Sequence, residues 1–181
     1  LKKIKTIIIK MDKIIHLNIE QKTPNYHSLK NDKKNIKIKL NNVLCPFGID
    51  EEYGNHLFKF EIDKNNDEHI ELIKEIVEFE SKLKLQFNST DDEWKSLIYT
   101  RENDNMFLDS KVKKIKTNIV TKVKFDDNDN NYLRTIYELK QPFKCNVTLE
   151  IPTIWDYRIK NDEKKENKIG FILNIVNMYI Y

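Results

Sequence analysis

The residues with the clearest chemical potential are lysines that alternate along the segment from 111 to 125. Lys114, Lys116, Lys122 and Lys124 would share one face of an extended strand, on which same-face neighbours are about 7 Å apart. This spacing is close to that of the phosphates in an extended single strand of nucleic acid. The pattern therefore predicts a face that binds a phosphate backbone.

Aromatic and arginine side chains elsewhere would supply the second feature of a single-strand binder, flat surfaces on which bases stack. The predicted partners of the lysines are Tyr132, Arg134, Trp155, Tyr157 and Arg158. A second interpretation stays open, because the outer face of an antiparallel strand is ordinarily solvated and lysine protects strand edges from aggregation. Tryptophan is also more often a packing residue than a stacking surface.

No catalytic or metal-binding motif is present in the sequence. It lacks a glycine-rich phosphate loop, a serine nucleophile motif and a zinc-protease motif, and its four histidines are scattered. Cys45 and Cys145 are far apart and have no CxxC partner, which indicates reduced thiols rather than a zinc site or a disulfide. The sequence predicts a protein that is not an enzyme and that needs no cofactor or metal.

The composition is that of one domain with a modest core and a highly charged surface. The chain has 181 residues, 34% of them charged, and a net charge of only +3, so an anion site would need local clustering. It contains no alanine, few arginines and much lysine, asparagine and isoleucine, a bias that indicates an A/T-rich genome. The apolar run near the N-terminus is too short to span a membrane.

The elements that would position these residues follow from periodicity. Residues 1–34 are polar and predict a disordered or extended N-terminal arm, followed by a single α+β domain over residues 35–181. Apolar and polar residues alternate in strands at 36–41 and 57–62. Between them, "PFGIDEEYG" predicts a hairpin turn with Phe47 packing inward. The apolar stripe formed by Leu72, Ile76, Phe79 and Leu83, widened by Ile73 and Val77, predicts a helix over about 67–85.

The second half of the chain predicts further strands. Residues 111–125 alternate as one strand, "DDNDNN" predicts a turn, and "YLRTIYELK" would return as its antiparallel partner. Residues 145–156 form another strand, and "KIGFILNIVNMYIY" is apolar on both faces, which predicts a central strand. We therefore expect an α+β fold of mostly antiparallel strands, either an OB-like, partly closed barrel or an irregular curved sheet, with one main helix.

Several of these features together resemble a group of small proteins from nucleocytoplasmic large DNA viruses. They are Pro46-Phe47-Gly48, Ile49-Asp50 with Tyr53, the strand Leu57–Ile62, the helix Glu68–Leu83, Trp155 and Lys168-Ile169-Gly170. Some members of that group are OB-fold proteins that bind single-stranded DNA. The resemblance implies the fold and a viral setting, and it assigns no DNA-contacting residue.

Two functions are consistent with these sequence features. The first is a non-enzymatic protein of viral type that binds single-stranded DNA or RNA through the lysine face and aromatics. The alternative is a viral structural or protein–protein interaction component that binds no nucleic acid. Other viral proteins are expected partners in either case. A membrane is not expected as a partner, and the expected location is the host cytoplasm or the virion.

Overall fold

The computed structural model describes residues 10–11, 17–52, 55–101, 103–115, 118–125, 136–158 and 167–181. These residues form thirteen strands, one α-helix and one short 3-10 helix. The strands are β1 (Lys10–Met11), β2 (Leu17–Thr23), β3 (Tyr26–Asn31), β4 (Ile36–Cys45), β5 (Ile49–Glu52), β6 (Asn55–Ile62), β7 (Ile98–Thr100), β8 (Met106–Val112), β9 (Lys114–Ile115), β10 (Asn118–Ile119), β11 (Lys122–Phe125), β12 (Phe143–Asp156) and β13 (Ile169–Ile180). The helix α1 spans Asp67–Phe87, and the 3-10 helix spans Ile136–Glu138.

Five of the strands close into a ring. The pairing runs from β4 to β6, β8, β13 and β12, and β12 pairs again with β4. Numbered along the chain, these barrel strands follow the order 1-2-3-5-4 round the ring. The contact between β8 and β13 is parallel and the other four are antiparallel. This is the arrangement of a small Greek-key barrel of the OB type, and it confirms the predicted fold class.

The barrel interior is filled by alternate residues of its strands. Phe58 and Phe60 from β6 are fully buried, as are Ile38, Leu40 and Leu149 from β4 and β12. The alternation that predicted strands at 36–41, 57–62 and 145–156 is thereby confirmed. β13 is central as predicted, because it has β12 on one side and β8 and β11 on the other.

Helix α1 lies between the second and third barrel strands. Asn66 caps it by accepting hydrogen bonds from the Glu68 and His69 N–H groups, and Asn88 ends it in the left-handed conformation. The predicted stripe of Leu72, Ile76, Phe79 and Leu83 is buried. Val77 is 56% exposed, so the prediction that it widens this stripe is wrong. It lies one residue, about 100°, round the helix from Ile76.

The predicted continuous strand over 111–125 is wrong. β8 ends at Val112, a two-strand ribbon of β9 and β10 follows, and the chain rejoins the sheet as β11. At the break, the Thr121 hydroxyl accepts from the Lys113 N–H at 2.9 Å and donates to the Ile175 carbonyl at 2.7 Å. β11 pairs in parallel with β13. The 3-10 helix at 136–138 replaces part of the predicted return strand, and residues 126–135 lie outside the described part of the chain.

Residues 17–31 form a hairpin of β2 and β3 within the segment interpreted as an N-terminal arm. β3 pairs with β12 over Thr153–Trp155, just beyond the point where β12 leaves β4. Pro152 lies where β12 changes its partner from β4 to β3, at a register shift. Its missing N–H therefore interrupts no strand-to-strand hydrogen bonds. The hairpin therefore extends the barrel sheet beside the far end of β12.

The "PFGIDEEYG" stretch connects the first two barrel strands. Gly48 has a φ of +66°, and a Cβ there would lie 2.3 Å from the Leu139 carbonyl oxygen, so both conformation and space require glycine. The following residues form β5, which pairs with β6. Phe47 is 48% exposed, and the prediction that it packs inward is wrong. Tyr53 and Gly54 lie outside the described residues.

Candidate functional site

A cavity of about 310 Å³ opens on the outer surface of the barrel, between β8 and the far end of β12. Five aromatic residues, Phe171 among them, line it, and two lysines lie at the same surface. We call this the aromatic cleft and define it by Tyr26, Tyr99, Trp155, Tyr157, Lys95 and Lys111. The lining of the cleft comes from six separate segments of the chain.

Strand register explains why these side chains face outward. The barrel-facing residues of β8 include Leu108 and Val112, so Asp109 and Lys111 point the other way. Tyr99 of β7 is paired with Phe107, which puts it on the same outer face. Leu57 of β6, paired with Lys111, completes that side of the cleft.

Trp155 forms the opposite wall. A Cβ on Gly170 of β13 would lie 2.5 Å from the indole Cζ2 atom, so the ring rests directly on this glycine. The indole N–H donates to the Phe171 carbonyl at 3.1 Å, and the ring stacks on Tyr157 at a centroid distance of 5.1 Å. These contacts hold Trp155 in one orientation while it stays half-buried.

The N-terminal hairpin contributes the outer edge of the cleft. The ring of Tyr26 meets that of Tyr157 edge-on at 6.1 Å, and the two hydroxyl oxygens are 2.6 Å apart. This hydrogen bond, together with burial, raises the pKa of Tyr157 to about 12. Tyr157 therefore stays neutral at physiological pH and adds no negative charge to the cleft.

Lys95 and Lys111 supply positive charge. Neither lysine has a carboxylate within ion-pair distance among the described residues. Asp109 also lines the cleft, and it accepts a hydrogen bond from the Tyr99 hydroxyl at 2.6 Å. Burial and this bond raise the pKa of Tyr99.

A buried carboxylate on α1 holds the loop that carries Lys95. Glu80 accepts hydrogen bonds from the Leu97 N–H at 2.7 Å, the Ser96 hydroxyl at 3.0 Å and the Trp94 indole N–H at 3.3 Å. Burial raises the pKa of Glu80 in spite of these three bonds. The loop backbone is also bonded to β13, from the Lys95 N–H to the Ile169 carbonyl.

The surface continues past Tyr99 to an arginine. The Arg101 guanidinium carbon lies 5.0 Å from the ring centre of Phe47, 5.3 Å from that of Phe107 and 5.9 Å from that of Tyr99. A guanidinium over several rings combines a cation with exposed aromatic surface. Phe47 comes from the loop between the first and second barrel strands, and its exposure follows from this position.

The residues predicted from the sequence are divided between different places. Trp155 lies in the aromatic cleft, whereas Lys122 and Lys124 are exposed on β11 at a second cavity. Lys114 lies on the short β9–β10 ribbon, which lines neither cavity. Lys116, Tyr132 and Arg134 lie outside the described residues.

Arg158 is engaged within the protein. Its guanidinium holds both carboxylate oxygens of Asp156, at 2.9 and 2.7 Å, and also contacts Glu93 and the Phe87 carbonyl at 3.2 Å each. These bonds anchor the end of β12 to the C-terminal end of α1.

Sequence reasoning missed Tyr26, Tyr99, Lys95 and Lys111. The one local signal was outward alternation in the strands that carry Tyr99 and Lys111. Within the described residues, no group of three or more histidine, cysteine or acidic side chains could hold a metal ion. No helix among the described residues is both long enough and apolar enough to cross a membrane.

Comparison with known proteins gives little. No family model matches the sequence, and no curated protein matches it. A solved structure with similarity is described as "Single-stranded DNA-binding protein from bacteriophage Enc34, C-terminal truncation". It shares 13% identity at a TM-score of 0.49, over 91% of this chain and 94% of that one. A similarity at this level supports no conclusion about function, which is proposed below from the side chains of the cleft.

Proposed function

We propose that this protein binds single-stranded nucleic acid in the aromatic cleft, without catalysing a reaction. One observation carries the proposal: the cleft between β8 and the far end of β12 collects five aromatic residues and two lysines without ion-pair partners among the described residues. OB-type barrels bind oligonucleotides on the face of their second and third strands and on bordering loops, and Leu57 and Lys111 from those two strands form one side of the cleft. Bases stack on aromatics while lysines contact phosphates.

The dimensions of the cleft favour a single strand. Stacking on Trp155 and Tyr157 needs a base whose flat face is free, which a paired and stacked duplex does not offer. A cavity of about 310 Å³ suits a single unstacked base rather than a double helix. Arg101 and Phe47 would take a neighbouring base on the other side of Tyr99. A viral setting, supported by the resemblance at Pro46-Phe47-Gly48, belongs to the same proposal.

Fluorescence anisotropy with a labelled oligo(dT) over a salt series tests the proposal. We expect Trp155→Ala and Tyr157→Ala each to weaken binding by about 5- to 150-fold, since one stacked base contributes about 1–3 kcal/mol. Lys95→Gln and Lys111→Gln should each reduce the slope of log K against log salt by about 0.7. Tyr137→Ala is the matched control, because Tyr137 is an exposed aromatic outside the cleft.

Two results would contradict the proposal in different ways. If the protein does not bind oligo(dT) at low salt, binding of single-stranded nucleic acid is ruled out as its function, and a structural or protein-interaction role is favoured. Binding that Trp155→Ala and Tyr157→Ala leave at the level of Tyr137→Ala would place the interface elsewhere on the protein.

A further inference from the structure

We infer that a second, basic surface on the same sheet continues the path of the bound strand and holds its phosphates. The surface is a cavity of about 420 Å³ on the outer face of β4, β12, β13 and β11. We call it the lysine groove and define it by Lys39, Lys122, Lys124, Thr148, Asn177 and Tyr179. This inference rests on the function proposed above.

Register places the lysines on one face. Lys39 is paired with Thr148, Thr148 with Asn177, and Asn177 with Lys122, so these four side chains form a row across four strands. Neighbouring strands are about 4.8 Å apart, which puts the backbones of Lys39 and Lys122 about 14 Å from each other. Lys124 and Tyr179 form part of the next row.

The groove has the charge of an anion site. No acidic residue is among the described residues that line it. Lys39, Lys122 and Lys124 are exposed, and none has an ion-pair partner in the described part of the chain, whereas Lys59, Lys82 and Lys113 do. Asparagine and threonine side chains between the lysines offer neutral hydrogen-bond donors to phosphate oxygens.

The groove and the cleft are connected along β13. Ile172 lines the cleft and Asn177 lines the groove, five residues away on the same strand, which corresponds to about 17 Å. Asn174 lies between them and is paired with Lys111 of the cleft. A single strand leaving the cleft along this face would reach the groove without crossing an edge of the sheet.

The negative charge of the acidic side chain on this path is compensated by its partners. Glu150 faces the same side, paired with Asn174, and it is ion-paired with Lys113 and accepts from the Asn35 amide at 2.9 Å. Although burial acts to raise it, the pKa of Glu150 is held below its ordinary value by these partners. The carboxylate therefore has its charge compensated where the strand would pass.

An oligonucleotide length series tests the inference on the full chain. An oligo(dT) of about 4 nucleotides fills the cleft alone, and one of about 12 nucleotides reaches the groove, within the range of site sizes known for OB folds. The test variant is Lys39→Gln/Lys122→Gln/Lys124→Gln. The control is Lys64→Gln/Lys74→Gln/Lys82→Gln, which makes the same change in net charge at exposed positions on and beside α1.

For the longer oligonucleotide, we expect the groove variant to lower the salt slope by about 2 relative to wild type, as three lost phosphate contacts require. The shorter oligonucleotide should bind wild type and the groove variant alike, which also shows that the variant is folded. If the groove and control variants bind the longer oligonucleotide equally, the groove is not part of the path and the inference fails alone. If wild type binds neither length, the proposed function fails with it.

Discussion

Replacing Glu80 by alanine is expected to destabilise the protein by about 2–4 kcal/mol. The change leaves two buried donors without an acceptor, the Leu97 N–H and the Trp94 indole N–H. An unsatisfied buried donor costs about 1–3 kcal/mol. The Ser96 hydroxyl is on an exposed residue and can turn to water. For a domain of this size, the loss corresponds to a fall in melting temperature of about 5–15 °C.

Glu80→Gln removes the charge of the side chain and keeps its size and shape. The amide keeps one oxygen for the Leu97 N–H but presents hydrogens where the carboxylate accepted, so we expect a smaller loss, about 1–2 kcal/mol at pH 7. The pKa of Glu80 is raised by burial, which means that the folded state binds its proton more tightly than the unfolded state does. This contribution to stability is fully present below the ordinary pKa of 4.5 and is lost as pH rises through the folded value. Wild type should therefore gain stability relative to Glu80→Gln as pH falls from 7 towards 4.5.

Urea unfolding followed by tryptophan fluorescence, repeated between pH 7 and pH 4.5, measures these differences. Glu78→Gln is the control on the same helix, because the Lys82 ammonium lowers the pKa of the Glu78 carboxyl and the linkage has the opposite sign. Equal stability of wild type and Glu80→Ala, within about 0.5 kcal/mol, would refute the reasoning. A difference between wild type and Glu80→Gln that does not change with pH would refute the linkage.

Further predictions concern the cleft and the barrel. Gly170→Ala should destabilise the protein by about 1–3 kcal/mol and weaken oligo(dT) binding, because the new methyl group displaces the Trp155 indole. Gly48→Ala should also destabilise the protein but leave oligo(dT) binding unchanged. If both variants bind equally weakly at a temperature where each is folded, the predicted difference between Gly170 and Gly48 is contradicted. Asn66→Ala should cost about 1 kcal/mol in denaturant unfolding through loss of the helix cap. Burial raises the pKa of Cys45 to about 12 and raises that of Cys145, so both thiols should react with a disulfide reagent only in urea, and fast reaction of the native protein would contradict their placement.

The barrel and its helix could be predicted because their signals are local. Alternation in residues 36–41 and the apolar stripe from Leu72 to Leu83 each follow from one face being buried. The break after Val112 could not be predicted in this way. The alternation changes phase there, because the buried residues of β8 from Leu108 to Val112 are even-numbered whereas the buried Thr121 is odd-numbered. The Thr121 hydroxyl donates to the Ile175 carbonyl of β13, 54 residues away, a contact that no local pattern contains.

The aromatic cleft could be predicted only in part. Trp155 was predicted as a stacking residue, but its partners in the cleft come from distant segments: the hydroxyls of Tyr26 and Tyr157 meet across 131 residues. The lysines at 122 and 124 drew the prediction towards a different part of the same sheet. Which lysine face neighbours which aromatic depends on strand order round the barrel, and a sequence pattern does not contain that order.

The fluorescence of Trp155 tests the central claim most directly. The chain has two tryptophans, so the variant Trp94→Phe leaves Trp155 as the single reporter, and Trp155→Phe leaves Trp94. On titration with oligo(dT), the first variant should lose emission intensity in proportion to binding measured by anisotropy, because a base stacks on the indole. The second should show weaker binding and little change in emission. Saturating binding that leaves the emission of Trp155 unchanged would contradict the claim that the strand enters the aromatic cleft.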